Sequence, residues 1–163
     1  MRHGSRPFTA FGAKGRTRRA VKAASILTAG AIAGAAAPAM ASDVVITVTN
    51  IRSSEGVVRA CITADRKSFP KCNKDPKAKR VVVPAKKSVT IRFTGVAAGS
   101  YAIALLHDEN NNGKADRRLG MIPKEGYGFS RDAKVVMGPP SYKDAVFKHG
   151  SGTQRLTIKM RYW

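Results

Sequence analysis

The chain has 163 residues, 43% hydrophobic and 25% charged, enough for one globular domain with its own core and with almost no room for a second. Its 30 lysines and arginines against 10 acids give a formal charge of +20, a surface suited to anionic partners. The basic residues are spread along the sequence rather than joined to aromatic or helix-borne readers, which speaks against a nucleic-acid interface.

The N-terminus differs from the rest. Arg2, Arg6, Lys14, Arg16, Arg18, Arg19 and Lys22 come with no acid, and the stretch from Ala23 to Ala37 is uncharged and built mainly of Ala, Gly, Ile and Leu. At roughly fifteen residues that stretch is shorter than the ~20 a membrane-crossing helix needs. Pro38 and the triplet Ala39-Met40-Ala41 then supply a helix breaker and a small-residue cleavage pattern. The expectation is a signal peptide over 1–41, a mature domain over 42–163, and a periplasmic or secreted protein that meets the membrane only transiently. Thr17-Arg18-Arg19-Ala20-Val21-Lys22 fits a twin-arginine route, and the basic segment fits the general route equally. Cleavage removes seven basic residues from 30 and no acid from 10, leaving 23 and 10 and a formal charge of about +13.

From Ser42 onward the alternation of apolar and polar residues predicts half-buried strands. Val44, Ile46 and Val48 share one face; Val89, Ile91 and Phe93 share another; Leu156, Ile158, Met160 and Tyr162 make a third. Val57 to Thr63 and Tyr101 to His107 are more continuously apolar, as in strands covered more fully. Arg80 to Val83 ends at Pro84 and reads as a short edge strand. Turn signals at 53–56, 84–87 and 95–100 separate these runs, and no window shows sustained helical periodicity. The prediction is an all-β fold, a small sandwich of antiparallel sheets. Cys61 and Cys72 are the only cysteines, and in an oxidising compartment they are expected to form one disulfide.

Asp108-Glu109-Asn110-Asn111-Asn112-Gly113-Lys114-Ala115-Asp116 places oxygen side chains at loop positions one, three, five and nine, with Gly at six. That spacing lets a tight loop wrap a hard cation such as calcium through Asp108, Asn110, Asn112 and Asp116. Position twelve is Leu119 where a bidentate acid is wanted, so a further ligand must come from water, Glu109 or Glu125. The competing reading is a turn closed by its own backbone hydrogen bonds, with Gly113 at positive φ, which the basic Lys114, Arg117 and Arg118 favour.

The run Gly99 to Asn110, continued through Asn112-Gly113-Lys114, Asp116, Gly120, Pro123 to Ser130 and Gly138-Pro139-Pro140, resembles the bacterial family of exported proteins classed as domain of unknown function 2141. The resemblance implies an exported β-sandwich, immunoglobulin-like or transthyretin-like, and brings no established activity. Similar loops in bacterial surface modules hold calcium, an association that carries over only to Asp108, Asn110, Asn112 and Asp116.

Tyr127 and Phe129 lie among glycines, an arrangement that either exposes rings to a sugar or peptide or folds them over a core edge. Gly138-Pro139-Pro140 is a rigid connector, after which Ser141 is expected to cap one helical turn through Asp144 and Ala145 before the chain rejoins the sheet at Val146-Phe147. His107 and His149 are the only histidines after Ser42, too few for a metallohydrolase, and no serine sits in a nucleophile turn. The reading is therefore a non-enzymatic module of the cell envelope, binding or structural, with anionic envelope components as partners, no catalytic residues, and no cofactor beyond a weakly held calcium. The alternative is a small hydrolase using His107 with Asp108 or Glu125.

Overall fold

The computed structural model describes residues 40–163 apart from 119–121 and 137. The expected signal peptide thus lies outside the described residues, save for Met40 and Ala41, and Leu119 lies outside them too. In chain order the elements are β1 (Ser42–Thr49), β2 (Val57–Thr63), β3 (Lys79–Pro84), β4 (Val89–Val96), β5 (Gly99–Asp108), β6 (Arg117–Arg118), β7 (Ile122–Pro123), β8 (Gly126–Phe129), α1 (Tyr142–Ala145), β9 (Phe147–His149) and β10 (Gln154–Lys159). One sheet runs β10-β1-β4; the other runs β3-β2-β5-β8, with β9 pairing the start of β5.

The period-two pattern is what joins the sheets. Val44, Ile46, Val48, Val89, Ile91, Phe93 and Ile158 from the first sheet meet Val58, Ala60, Ile62, Ile103 and Leu105 from the second in one buried cluster. Burying apolar surface of this kind is the main source of stability in a domain this small, at roughly 25 cal/mol per Å². The outward positions of the first sheet, among them Thr90, Arg92, Arg155, Thr157 and Lys159, are exposed, as the alternation requires. The edge reading of the Val81–Val83 run holds, since β3 pairs with β2 alone.

The all-β sandwich is as expected, and most pairs are antiparallel, with one exception. β1 and β10 run parallel, Val44 opposite Gln154 and Thr49 opposite Lys159. The chain leaves β9 at the end of the molecule where β1 begins, and the Ser42 hydroxyl donates to the Gly152 carbonyl there at 2.9 Å, so β10 enters alongside β1 in the same direction.

A second, smaller core lies on the far face of the β2-β5-β8 sheet. Phe69, Ala102, Phe129, Ala133 and Ala145 form it, with Tyr127 and Tyr142 packed against them. Residues 126–129 thus fold back as a strand rather than present their rings, and the Phe129 ring meets Phe69 edge-on at 5.8 Å. The single helical turn forms as its sequence predicts: Asp144 accepts from the Ser141 amide and hydroxyl, and the Asp144 amide donates back to Ser141.

Candidate functional site

The acidic loop starts where β5 runs out. Asp108 is the last residue of β5, opposite Val57 at the start of β2, and is fully buried. A buried carboxylate must be compensated, and this one is. Its Oδ2 accepts from Arg59 Nε at 2.5 Å and from the Gly113 amide at 2.8 Å, while Oδ1 accepts from the Asn112 amide at 3.0 Å. Burial pushes the Asp108 carboxyl up, but Arg59 and the Gly113 and Asn112 amides outweigh it and hold the group below its ordinary value. Arg59 also donates to Asn111 Oδ1 at 2.7 Å, so one guanidinium pins both ends of the turn.

The rest of the loop closes on itself. Asn110 and Asn112 each accept the amide two residues on, Asn112 at 3.1 Å and Lys114 at 2.8 Å, and each sends its side-chain amide to Asp116 Oδ2, at 2.7 and 2.9 Å. Gly113 turns the chain at φ 77°. All four expected side chains therefore belong to one bonded cluster. Gly56, between β1 and β2, seals its base: a Cβ there would stand 2.1 Å from the Asp108 carbonyl oxygen.

Glu125 completes the cluster. The β6–β7 ribbon carries the chain out and back, the Lys124 amide donates to the Asp116 carbonyl at 2.9 Å, and Glu125 Oε2 accepts the Asp116 amide at 3.0 Å. Glu125 is 4% exposed, and its Oε1 has no hydrogen-bond partner among the described residues. Burial first, and then the charges of Asp108 and Asp116, push its carboxyl above the ordinary glutamate value, against the opposing effect of the Asp116 and Glu109 backbones. Glu109 is committed elsewhere, to a two-pronged ion pair with Arg52 and to the Ser53 hydroxyl at 3.0 Å. Of the two extra ligands weighed from the sequence, Glu125 is the one with a free oxygen. Among the described residues, no three His, Cys, Asp or Glu side chains are grouped so as to hold a metal by themselves, so any ion here also needs the asparagine oxygens.

His107 does not join Asp108 or Glu125. Fully buried, it meets Tyr162 Oη at 2.8 Å through Nδ1 and the Glu55 carbonyl at 2.9 Å through Nε2, and its nearest carboxylate is Glu109 at 3.9 Å. With both ring nitrogens engaged it ties the 50–56 loop to the C-terminus. Two surface pockets, one bounded by Arg66, Tyr142 and Lys143 and the other by Asp65, Lys77 and Tyr101, both lie away from it.

Arg59 was not singled out in the sequence, and Gly56 only as the close of a turn. Arg59 leaves a signal, for it is the one charged residue in the apolar run Val57 to Thr63 and so demands a partner.

At the opposite end of β2, Cys61 and Cys72 form the expected disulfide, with Cα atoms 6.5 Å apart. It staples the connection between β2 and β3, whose Asp75 accepts from the Thr63 hydroxyl at 2.6 Å and the Lys77 amide at 2.8 Å.

These features define an all-β sandwich with a charge-locked acidic loop at one end and a disulfide-stapled loop at the other. Residues 46–157 match the family described as "Uncharacterized protein conserved in bacteria (DUF2141)", and the chain belongs to it. No curated protein and no solved structure matches the chain. Among the described residues, no helix is long and apolar enough to cross a membrane.

Proposed function

We propose that the protein is an exported, non-catalytic module of the bacterial envelope whose acidic loop holds a hard divalent cation of the calcium type. The observation that carries the reading is Glu125: a buried carboxylate with an oxygen unpartnered among the described residues, set against Asp116 where the Asn110 and Asn112 amides meet. Calcium takes six to eight oxygen ligands, and Asp108, Asn110, Asn112, Asp116 and Glu125 supply oxygens from side chains already ordered around one loop. A cation there relieves the repulsion that Asp108 and Asp116 exert on Glu125. Arg59, held on Asp108, competes with the ion, and so do the exposed charges of Lys114, Arg117 and Arg118. Affinity is therefore in the range of extracellular modules, ~10⁻⁴–10⁻³ M. The basic N-terminus, the Ala-x-Ala triplet and a cysteine pair suited to an oxidising compartment support export.

The test is thermal melting in about 10 mM calcium against chelator, since a ligand at tenfold its dissociation constant adds ~1.4 kcal/mol. Asp116→Asn should lose the increment, because it removes a charge at the point of convergence while keeping the backbone amide that binds Glu125. A melting temperature indifferent to calcium over that range rejects the cation site.

A further inference from the structure

Part of the basic charge is dense in one stretch of the chain, and the fold holds that stretch as one stapled loop. Between β2 and β3, Arg66, Lys67, Lys71, Lys74 and Lys77 are all exposed, and Lys79 follows at the start of β3. None of these six makes an ion pair among the described residues, whose Lys and Arg ion pairs are Arg52–Glu109, Arg59–Asp108 and Arg92–Asp43. The two acids of the loop are turned to other work. Asp65 accepts the Lys67 amide at 2.9 Å, and the buried Asp75 accepts from Thr63 and Lys77.

A connection of this length without regular structure is either functional or loose, and this one is not loose. The Cys61–Cys72 bond staples it, Phe69 is buried against Phe129 and Tyr142, and the Arg80 guanidinium binds the Cys72 and Asp75 carbonyls inside it. Holding like charges together in a fixed frame destabilises a fold unless an anion neutralises them. Beside the loop is a shallow pocket lined by Arg66, Ser100, Tyr142 and Lys143, with the Arg66 guanidinium 6.0 Å from the Tyr142 ring centre and the Tyr142 hydroxyl fixed on the Ser100 carbonyl at 2.8 Å. An oriented ring edged by two cations suits an acidic sugar.

We propose that this lysine-bearing loop and the adjoining Tyr142 pocket dock an anionic envelope polysaccharide, one bearing uronate, sulfate or phosphate groups. A membrane surface fits less well, because the exposed large hydrophobics among the described residues, Met40, Val82, Ile122, Val136 and Trp163, all lie off the loop and its aromatic, Phe69, is buried. A nucleic acid fits less well because the loop and its pocket offer the single half-buried ring of Tyr142 rather than a row of aromatics on which successive bases could stack. The partner's place in the envelope rests on the export proposed above, but its chemistry does not, and binding by the purified protein is measured independently of location and of calcium.

The experiment measures binding of the purified protein to fluorescein-labelled polygalacturonate and dextran sulfate, with neutral dextran, phosphatidylglycerol vesicles and duplex DNA as parallel arms. Lys67→Gln, Lys71→Gln, Lys74→Gln and Lys77→Gln together should weaken polyanion binding by about tenfold or more. Lys86→Gln, Lys87→Gln, Arg155→Gln and Lys159→Gln, which remove the same charge elsewhere, should weaken it by less than about threefold. In the unmodified chain, bound polymer should protect Lys67, Lys71, Lys74 and Lys77 from acetylation and leave Lys86 and Lys87 reactive. Equal loss in both variants, uniform protection, no polysaccharide binding, or tighter binding to vesicles or DNA would each overturn the proposal.

Discussion

The two ends of β2 solve one problem in opposite ways. Each must hold a long polar loop on a narrow sandwich, and each uses the same local device, an Asp or Asn side chain accepting the amide two residues ahead: Asp65 and Asp75 at one end, Asn110 and Asn112 at the other. In the stapled loop the acids find enough donors, and a covalent bond completes the anchoring. In the acidic loop there is no crosslink, so the ion pair of the buried Asp108 with the half-buried Arg59 carries the anchoring, and among the described residues one carboxylate oxygen of Glu125 is left without a donor. The lesson is that counting donors against carboxylates separates a loop whose acids are satisfied from one that keeps an oxygen free for a cation.

The most severe way to break the contrast is to remove the charge lock. Asp108→Ala leaves Arg59 and two loop amides without their acceptor, and should cost about 3–5 kcal/mol in chemical denaturation, because three charge-assisted hydrogen bonds to a fully buried carboxylate are lost at once. Asp75→Ala, which loses neutral donors only, should cost about 1–3 kcal/mol. If the two costs are equal, the loops are anchored alike and the contrast fails.

Opening the staple comes next. Replacing Cys61 and Cys72 by serine should lower stability by about 2–4 kcal/mol in the same assay, while leaving any response to calcium intact, because the two loops lie at opposite ends of β2. A calcium response that vanishes with the staple would mean the ends are coupled.

Both loops follow from local patterns that the sequence displays, but to different depths. The bounds of β2, the inward faces of β1 and β4, the capped turn at Ser141 and the disulfide were all legible, because each depends on periodicity, a capping residue or a lone cysteine pair. β8 was not read as a strand, since Gly126 and Gly128 lower strand propensity and its pairing comes from β5. That Asp108, Asn110, Asn112 and Asp116 share one turn was legible from their spacing. Glu125 was named among the outside ligands, yet its approach to Asp116 depends on the β6–β7 ribbon, whose two-residue strands carry no periodic signal.

The smallest expected effect is a change of pH dependence. The folded-state carboxyl of Glu125 is raised, so the folded chain binds its proton more tightly than the unfolded chain does, and stability falls as pH rises from the ordinary glutamate value through the raised one. Glu125→Gln removes that loss, keeps an acceptor for the Asp116 amide, and should leave the protein slightly more stable than wild type at neutral pH. The lowered groups run the other way: the stability from Asp108, Asp75 and Glu109 is present above their ordinary values and is lost as pH falls through the depressed ones. Denaturation midpoints for wild type and Glu125→Gln across the acid range check both signs.

The most direct test of the central claim, that the acidic loop retains binding capacity, is a residue-resolved amide chemical-shift titration with calcium up to about 10 mM. The account predicts saturable shifts, with a midpoint near ~1 mM, at Asn110, Asn112, Gly113, Asp116 and Glu125, and none at Asp65, Asp75 or Lys77 in the stapled loop. Amides of the acidic loop that do not move, or that move no more than those of the stapled loop, would contradict it.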